Sequence, residues 1–400
     1  MSKVLFVIPY SVIGGISTSL SSLINSLQKV PNLDISVFSM QHFTGCNIAY
    51  SDVLLPENRL LSSFFGEYSN EPFYRKILFF FPKIVRRVSH HLGIPLDDWL
   101  LKMSAKNIEK KNKYDVIVAY AEGSATRLVS FFSNKNKVAW IHCDYSLKEN
   151  LNISYETLLY SKYSKIVCVS NYTAVEFAKL LPKVSHKVCS IGNVLDEDRI
   201  LTLSQSSIDD VDFNHSTDTF VLVSMGRMHR VKRFEKIPEI ALILKNKGLR
   251  FKWYLLGPSD DITVCKQFNE SLLTTKTNDV VFWLGKKSNP YPYLAKSDLL
   301  VSLSSTEACP MIFNEAKILG IPIVTTNFGS SSEFINQGID GYITSLDDMP
   351  QLLVNLITNK IHYRKLRQGM RYDRGTNDRI IHSVLKLLNN SSYNENFAYF

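Results

Sequence analysis

The sequence predicts two doubly wound α/β domains, each a parallel sheet covered by helices. Three observations carry this. The chain has 400 residues with 45% hydrophobic content, more than one ordinary core accommodates. Short β-branched runs alternate with longer helical patterns in both halves. A polar stretch, Arg199 to Asp218 ("RILTLSQSSIDDVDFNHSTD"), interrupts the alternation once and reads as a linker.

In order, the strands of the first half are "KVLFVIP", "DISVFSM", "YDVIVAY", "KVAWIH", "KIVCVS" and "HKVCSIGN". Those of the second are "TFVLVSM", "RFKWYLLG", "VVFWLG", "DLLVSL", "IPIVTT" and "GYITS". Glycine, serine, asparagine or aspartate follows each run and turns strand into helix cap. The expected division is 1–199 for the first domain, 200–218 for the linker and 219–375 for the second domain. Residues 376–400 form a C-terminal helix and tail, whose return to the N-terminal domain is left open. In that helix Ile380, Ile381, Val384, Leu385, Leu387 and Leu388 supply the apolar side. Two such domains are expected to face one another across a cleft that holds the ligand.

Composition narrows the function. Charged residues at 21% and aromatics at 12% fit a globular chain. The net charge of +9, with six of the nine in residues 1–200, suits an anionic partner. The six cysteines show no zinc-type spacing, so buried free thiols in a reducing cytoplasm are expected. "MSKVLFVIPY" holds too short an apolar run for a signal peptide, and no apolar segment approaches the roughly 20 residues of a membrane span. Cytoplasmic residence is the expectation, with peripheral placement on the inner face of the cell membrane left open.

Four constellations could carry chemistry. After the first strand, Gly14 and Gly15 lead into a helix beginning near Ile16. They either let backbone approach a ligand or make a tight connection. The spacing is neither G-x-G-x-x-G nor a P-loop. In "VSMGRMHRVKRF", Arg227 and Lys232 stand at the edge of a strand; they suit a diphosphate, or belong to a solvated basic loop. In "KVAWIHCDY", His142 ends a strand run, as a ligand donor, a base or a structural residue.

The fourth is "SLSSTEACPMIFNEAKILGIPIVTT", with Glu307 and Glu315 separated by seven residues. On one helix they would stand about 80° and about 12 Å apart. Pro310 favours the first helical position and disfavours helix before it. Glu307 is therefore expected in the loop and Glu315 about a turn and a half inside. Between them the N–H groups of Met311 and Ile312 point at an anion. Hydroxyl acceptors at two ends with an anion site between suit a nucleotide sugar; the alternative is one glutamate favoured by the helix dipole and one on a solvated face.

Together these pieces resemble the retaining glycosyltransferases of family 4, which have the GT-B fold of two facing Rossmann-like domains. The matching residues are Gly14 and Gly15, His142, "IGNVLD", Arg227 with Lys232, the Glu307-to-Glu315 segment and "FGSSSEFINQGIDGYI". The resemblance implies a hexosyltransferase-like enzyme (EC 2.4) of surface-polysaccharide assembly, such as capsule or O-antigen. It assigns Arg227 and Lys232 to the donor diphosphate, Glu315 to the ribose and Glu307 to the donor sugar's hydroxyls. Gly15 and His142 would line the reacting centre from the first domain, with Gly14 and Gly15 among the donor-binding residues. Fixed cations would stabilise the leaving group without metal, and no cofactor beyond the nucleotide-sugar substrate is implied. Asp196/Asp198 and Asp210/Asp212 have Asp-x-Asp spacing, but in or beside the linker, where chance explains them. Ala308 stands where the family often has glycine.

The rivals are a nucleotide-sugar epimerase or hydrolase of the same fold and a catalytically silent binding subunit. On the acceptor side, "EPFYRKILFFFPKIVRRVSHHLG" gathers Arg75, Lys76, Lys83, Arg86 and Arg87 among aromatics. A helix from Pro82 would put Ile84, Val85, Val88 and Leu92 on one side, with Lys83, Arg86, Arg87 and His90 on another. Residues 73–92 then form either an interfacial helix on an anionic membrane, whose acceptor would be a lipid-linked saccharide, or a helix packed on its own sheet. No nucleic-acid reading motif is present.

Overall fold

The computed structural model describes residues 2–9, 14–41, 51–56, 58–65, 73–209 and 218–389. Cys46, Glu71, Asp210, Asp212, residues 210–217 of the expected linker and residues 390–400 of the tail lie outside them. Two compact units emerge: one ends at Leu195 and resumes at Gly375, the other is Asp196–Arg374.

In the first unit the strands are β1 Ser2–Ile8, β2 Leu33–Ser39, β3 Val116–Ala119, β4 Lys137–Ile141, β5 Lys165–Cys168 and β6 Val188–Ser190. They form a parallel sheet in the order β2-β1-β3-β4-β5-β6. This is the flavodoxin-like order, which reverses direction between β1 and β3. Helices α1 Gly15–Leu27, α2 Arg59–Phe65, α3 Phe73–His91 and α4 Leu96–Lys111 follow in chain order, and Ser124–Ser130 follows β3. β1 and β4 read as unbroken apolar runs because both faces of the sheet are covered; Val4 to Val7 are all 0% exposed.

The second unit holds β7 Phe220–Met225, β8 Phe251–Leu256, β9 Val281–Trp283, β10 Leu299–Ser302, β11 Ile323–Thr326 and β12 Gly341–Thr344. Their order, β12-β11-β10-β7-β8-β9, is that of a Rossmann sheet reversing between β7 and β10. Alternate residues of β7, β8 and β10 serve different cores. Leu222, Trp253, Leu255, Leu299 and Val301 pack on one face, and Val221, Val223, Tyr254, Leu256 and Leu300 on the other. The Trp253 indole donates to Ser224 Oγ at 3.0 Å, which donates to the Val301 carbonyl at 2.6 Å, so the buried polar groups are satisfied.

All twelve expected strands are present. Three helical details differ from the expectation. The stretch read as linker starts with a helix, Glu197–Ser204, capped by Asp196, whose carboxylate accepts from the Arg199 N–H at 3.1 Å. Its buried Ile200 and its packing on helices Tyr291–Ala295 and Met311–Ile318 stabilise a segment whose polar sequence hides its periodicity. Asp196 and Asp198 therefore serve a helix start. Second, α3 begins at Phe73 and runs through Pro82. The proline removes one ladder bond, and packing on α2 and α4 holds the remaining turns in register. Third, Pro310 is the N-cap of Met311–Ile318 rather than its first helical residue.

Helix Gly375–Leu388 belongs with the first unit. Asn377 clamps it there: its side chain accepts from the Leu195 N–H at 3.1 Å and donates to the Leu195 carbonyl at 2.8 Å. Cys168 is buried and Cys143, Cys189, Cys265 and Cys309 are partly buried, so the described thiols are less uniformly buried than expected. Among the described residues no helix is long and apolar enough to cross a membrane.

Candidate functional site

The loops after β7 and β10 leave the second sheet on either side of its reversal point, where open α/β sheets present ligand sites. Close backbone approach shapes the β7 loop. Gly226 and Gly257 both have positive φ, and a Cβ at Gly257 would fall 1.7 Å from the Gly226 carbonyl oxygen. A Cβ at Gly226 would lie 3.0 Å from Lys232 Cε, so glycine leaves room for the lysine stem. Met228 N–H donates to the Pro258 carbonyl at 2.9 Å, continuing the pairing past the strand ends.

This brings Lys232, in the short 3₁₀ turn Arg230–Lys232, to Glu307 in the loop after β10. Lys232 Nζ and Glu307 Oε1 form an ion pair, both side chains largely buried. A frame of hydroxyls fixes the carboxylate. Ser304 Oγ donates to Glu307 Oε1 at 2.7 Å, Ser330 Oγ to the Glu307 carbonyl at 2.7 Å, and Thr326 Oγ1 to the Ser304 carbonyl at 2.5 Å. The Ser305 N–H donates to the Val231 carbonyl at 2.8 Å, tying the two loops together. Ser304, Thr326 and Ser330 are buried. Sequence reasoning missed all three, because serine and threonine beside a strand end look like ordinary turn residues; their clustering in "SLSST" and "FGSSS" was the available signal.

Arg227 goes elsewhere: its guanidinium pairs with Asp260 at 2.8 Å and is mostly exposed, so the two expected phosphate cations share a loop but not a partner. Met311 and Ile312 open the helix as expected, and Phe313 N–H already bonds the Pro310 carbonyl at 3.0 Å. Glu315 is the fifth helical residue and buried, with the Tyr291 hydroxyl donating at 3.4 Å. Burial pushes its carboxyl up to about 7, against the smaller opposing effect of that hydroxyl. The neutral form therefore stabilises the fold fully below about pH 4.5, and this contribution is lost as pH rises through about 7. We expect Glu315→Gln to flatten the stability profile between pH 5 and pH 8, where ionisation of Glu315 costs the parent about 2.5 kcal/mol. Urea midpoints at both pH values check this; parallel profiles would contradict it.

In the first unit, Gly14 is the extended N-cap of α1 and Gly15 its first residue; both are exposed. Neither has positive φ, so the lack of a side chain, not unusual backbone, distinguishes them. Further into α1, buried Ser19 Oγ donates to Asn193 Oδ1 and shares a hydrogen bond with the Tyr120 hydroxyl, each at 2.8 Å. This joins α1 to the "IGNVLD" segment. His142 follows β4 with its ring 4.8 Å from that of Tyr120, and its Nε2 is buried without a hydrogen-bond partner. Burial lowers its pKa to about 4, so at neutral pH it is an uncharged imidazole, better placed to hydrogen-bond than to remove a proton.

Glu122, which no sequence motif marked, accepts the His142 backbone N–H at 2.9 Å. Burial raises its carboxyl pKa, but His142, Cys143 and Lys148 together bring it below the usual value. A carboxylate thus sits beneath the end of β4. Among the described residues no three His, Cys, Asp or Glu side chains gather as a metal set.

Comparison with known proteins agrees with this architecture. Residues 206–397 match the family described as glycosyl transferases group 1. The N-acetyl-alpha-D-glucosaminyl L-malate synthase of Bacillus anthracis is 24% identical over 185 residues, 46% of this chain and 47% of that protein. The lipopolysaccharide core biosynthesis glycosyltransferase LpsE of Rhizobium meliloti is 25% identical over 66% of this chain and 70% of its own length. The chain thus spans about half the length of the first relative. Among solved structures, Anabaena Alr3699/HepE in complex with UDP and glucose superposes with TM-score 0.69 at 16% identity, covering 96% of this chain and 100% of that one. The fold is GT-B, two Rossmann-like domains.

Proposed function

We propose that the protein is a retaining glycosyltransferase of family 4 that moves a hexosyl unit from a nucleotide sugar to a saccharide acceptor in surface-polysaccharide assembly, such as capsule or O-antigen. The Lys232–Glu307 pair at the reversal point of the second sheet carries this reading. It sets a cation and a hydroxyl-accepting carboxylate side by side, beside a helix start and ahead of a buried second carboxylate, Glu315. The polysaccharide glycosyltransferases among the relatives support the reaction class.

Binding exchanges partners. The donor diphosphate takes the Lys232 ammonium, with Arg227 and the N–H groups of Met311 and Ile312 as further donors. Glu307 then accepts from the sugar hydroxyls while Ser304 holds its Oε1, and Glu315 accepts from the ribose. Cleavage of the sugar–phosphate bond leaves negative charge on the diphosphate and positive charge on the ring. Fixed cations oppose the first without metal or further cofactor, and preorganised charge is most effective where water is excluded. Gly14 and Gly15 are further donor-binding residues, Gly15 and His142 serve the reacting centre, and the acceptor is a lipid-linked saccharide presented at the cytoplasmic face of the membrane.

Incubation with an α-linked nucleotide sugar and a saccharide acceptor, followed by NMR of the new anomeric centre, tests the proposal. An α-linked product is expected. Formation of an epimer, or of free sugar in proportion to nucleotide released, would assign the protein to the epimerases or hydrolases instead.

A further inference from the structure

The α3–α4 pair of the first unit presents an apolar strip to solvent. Phe81, Ile84, Val85, Val88 and Leu92 recur at helical spacing on one side of α3 and the turn after it, and all are exposed, Phe81 by 70%. Trp99, in the first turn of α4, is exposed as well, by 59%. A helix packed on its own sheet would bury this side, so that alternative for the segment does not hold. The apolar residues that α4 buries, Leu100, Leu101, Ala105 and Ile108, are turned to the core instead.

The charges around the strip are one-sided. α3 carries five Lys and Arg and no acid. Contrary to the sequence expectation, Arg86 and His90 are not part of an open basic face: both reach Asp97 on α4, Arg86 with two nitrogens at 2.9 and 3.0 Å and His90 at 3.3 Å. Asp97 is buried, and Asp98 is held by Arg127 at 2.7 Å. Asp97 and Asp98 are thus paired, and Lys83 and Arg87 of α3 are exposed. An exposed apolar surface on a helix whose exposed charges are cations is complementary to an anionic bilayer.

We propose that the α3–α4 face is a docking surface for an anionic phospholipid membrane. Phe81, Val88, Leu92 and Trp99 enter the acyl boundary, and Lys83 and Arg87 reach the headgroups along their flexible stems. The proposal is independent of the sugar chemistry, since vesicle binding and glycosyl transfer can fail separately.

The test uses the full chain with vesicles of phosphatidylcholine, alone or with phosphatidylglycerol, read by co-sedimentation and tryptophan emission. Trp140 and Trp253 are buried, and half-buried Trp283 of the second unit donates its indole N–H to the Gly257 carbonyl, so Trp99 is the reporter whose environment changes most. Anionic vesicles should shift the emission to the blue, and Trp99→Phe should remove the shift while binding persists. Lys83→Gln with Arg87→Gln should weaken partitioning about tenfold to thirtyfold, and Phe81→Ser with Val88→Ser should weaken it on both vesicle types. All these positions are exposed, so an unchanged thermal midpoint shows that each variant is folded. An unchanged bound fraction in both double variants would overturn the proposal. So would a stable dimer in sedimentation velocity that shields Trp99 and does not bind vesicles, since a second copy would then be the occupant.

Discussion

Glu307→Gln is expected to lower kcat by about 10² to 10³ while the affinity for the bare nucleoside diphosphate rises several-fold. The two effects have different origins. Glu307 accepts hydrogen bonds from the transferring sugar as the ring gains positive charge, so a neutral amide forfeits transition-state stabilisation. In the unliganded protein, however, the same carboxylate is paired with Lys232, and a diphosphate has to displace it. Removing that competitor saves about 1 kcal/mol for a ligand that makes no use of Glu307. Glutamine keeps the volume and can still accept from Ser304, so the loop after β10 stays in place. Steady-state kinetics and calorimetry with UDP, or whichever diphosphate the protein prefers, separate the two. Equal loss of turnover and nucleotide affinity would show that Glu307 acts only by holding the loop.

Lys232→Met is expected to do the reverse to the nucleotide: affinity for the diphosphate and kcat both fall, with kcat/KM down by about 10³. Methionine retains the stem that packs over Gly226, so the change isolates the ammonium. The β7 loop also keeps its backbone ties to Pro258 and Ser305. Arg227→Met should cost less, because its guanidinium is mostly exposed and already paired with Asp260. A larger loss at Arg227 than at Lys232 would reverse their roles.

The strands were legible because both sheets are buried on both faces, so each strand is a short apolar run with a turn residue behind it. β10 and the opening of Met311–Ile318 could be placed within a residue for the same reason, Pro310 marking the boundary. Sheet order was not legible: the flavodoxin-like first sheet and the Rossmann second sheet have the same sequence alternation and differ only in where each crossover returns. Local pattern also failed at α3, where packing on α2 and α4 carries the helix through Pro82, and at Glu197–Ser204, where tertiary contact outweighs a polar composition. Within the site, Glu307 and Glu315 stood out as charges in apolar surroundings and Lys232 as a cation at a strand edge. Their partners did not. Lys232 and Glu307 are 75 residues apart, and Ser304, Thr326, Ser330 and Tyr291 have significance only through the contacts that the fold creates.

The central claim is that the second unit holds a nucleotide sugar through Lys232, Glu307 and Glu315. Thermal unfolding of the full chain against a panel of nucleotide sugars, each well above its dissociation constant, tests it most directly. A ligand that binds only the folded state at 100 times its dissociation constant adds about 2.7 kcal/mol, enough to raise the midpoint by a few degrees. At least one nucleotide sugar should do so for the parent and fail to do so for Lys232→Met. A panel that leaves the parent midpoint unmoved, or that stabilises Lys232→Met equally, would contradict the account.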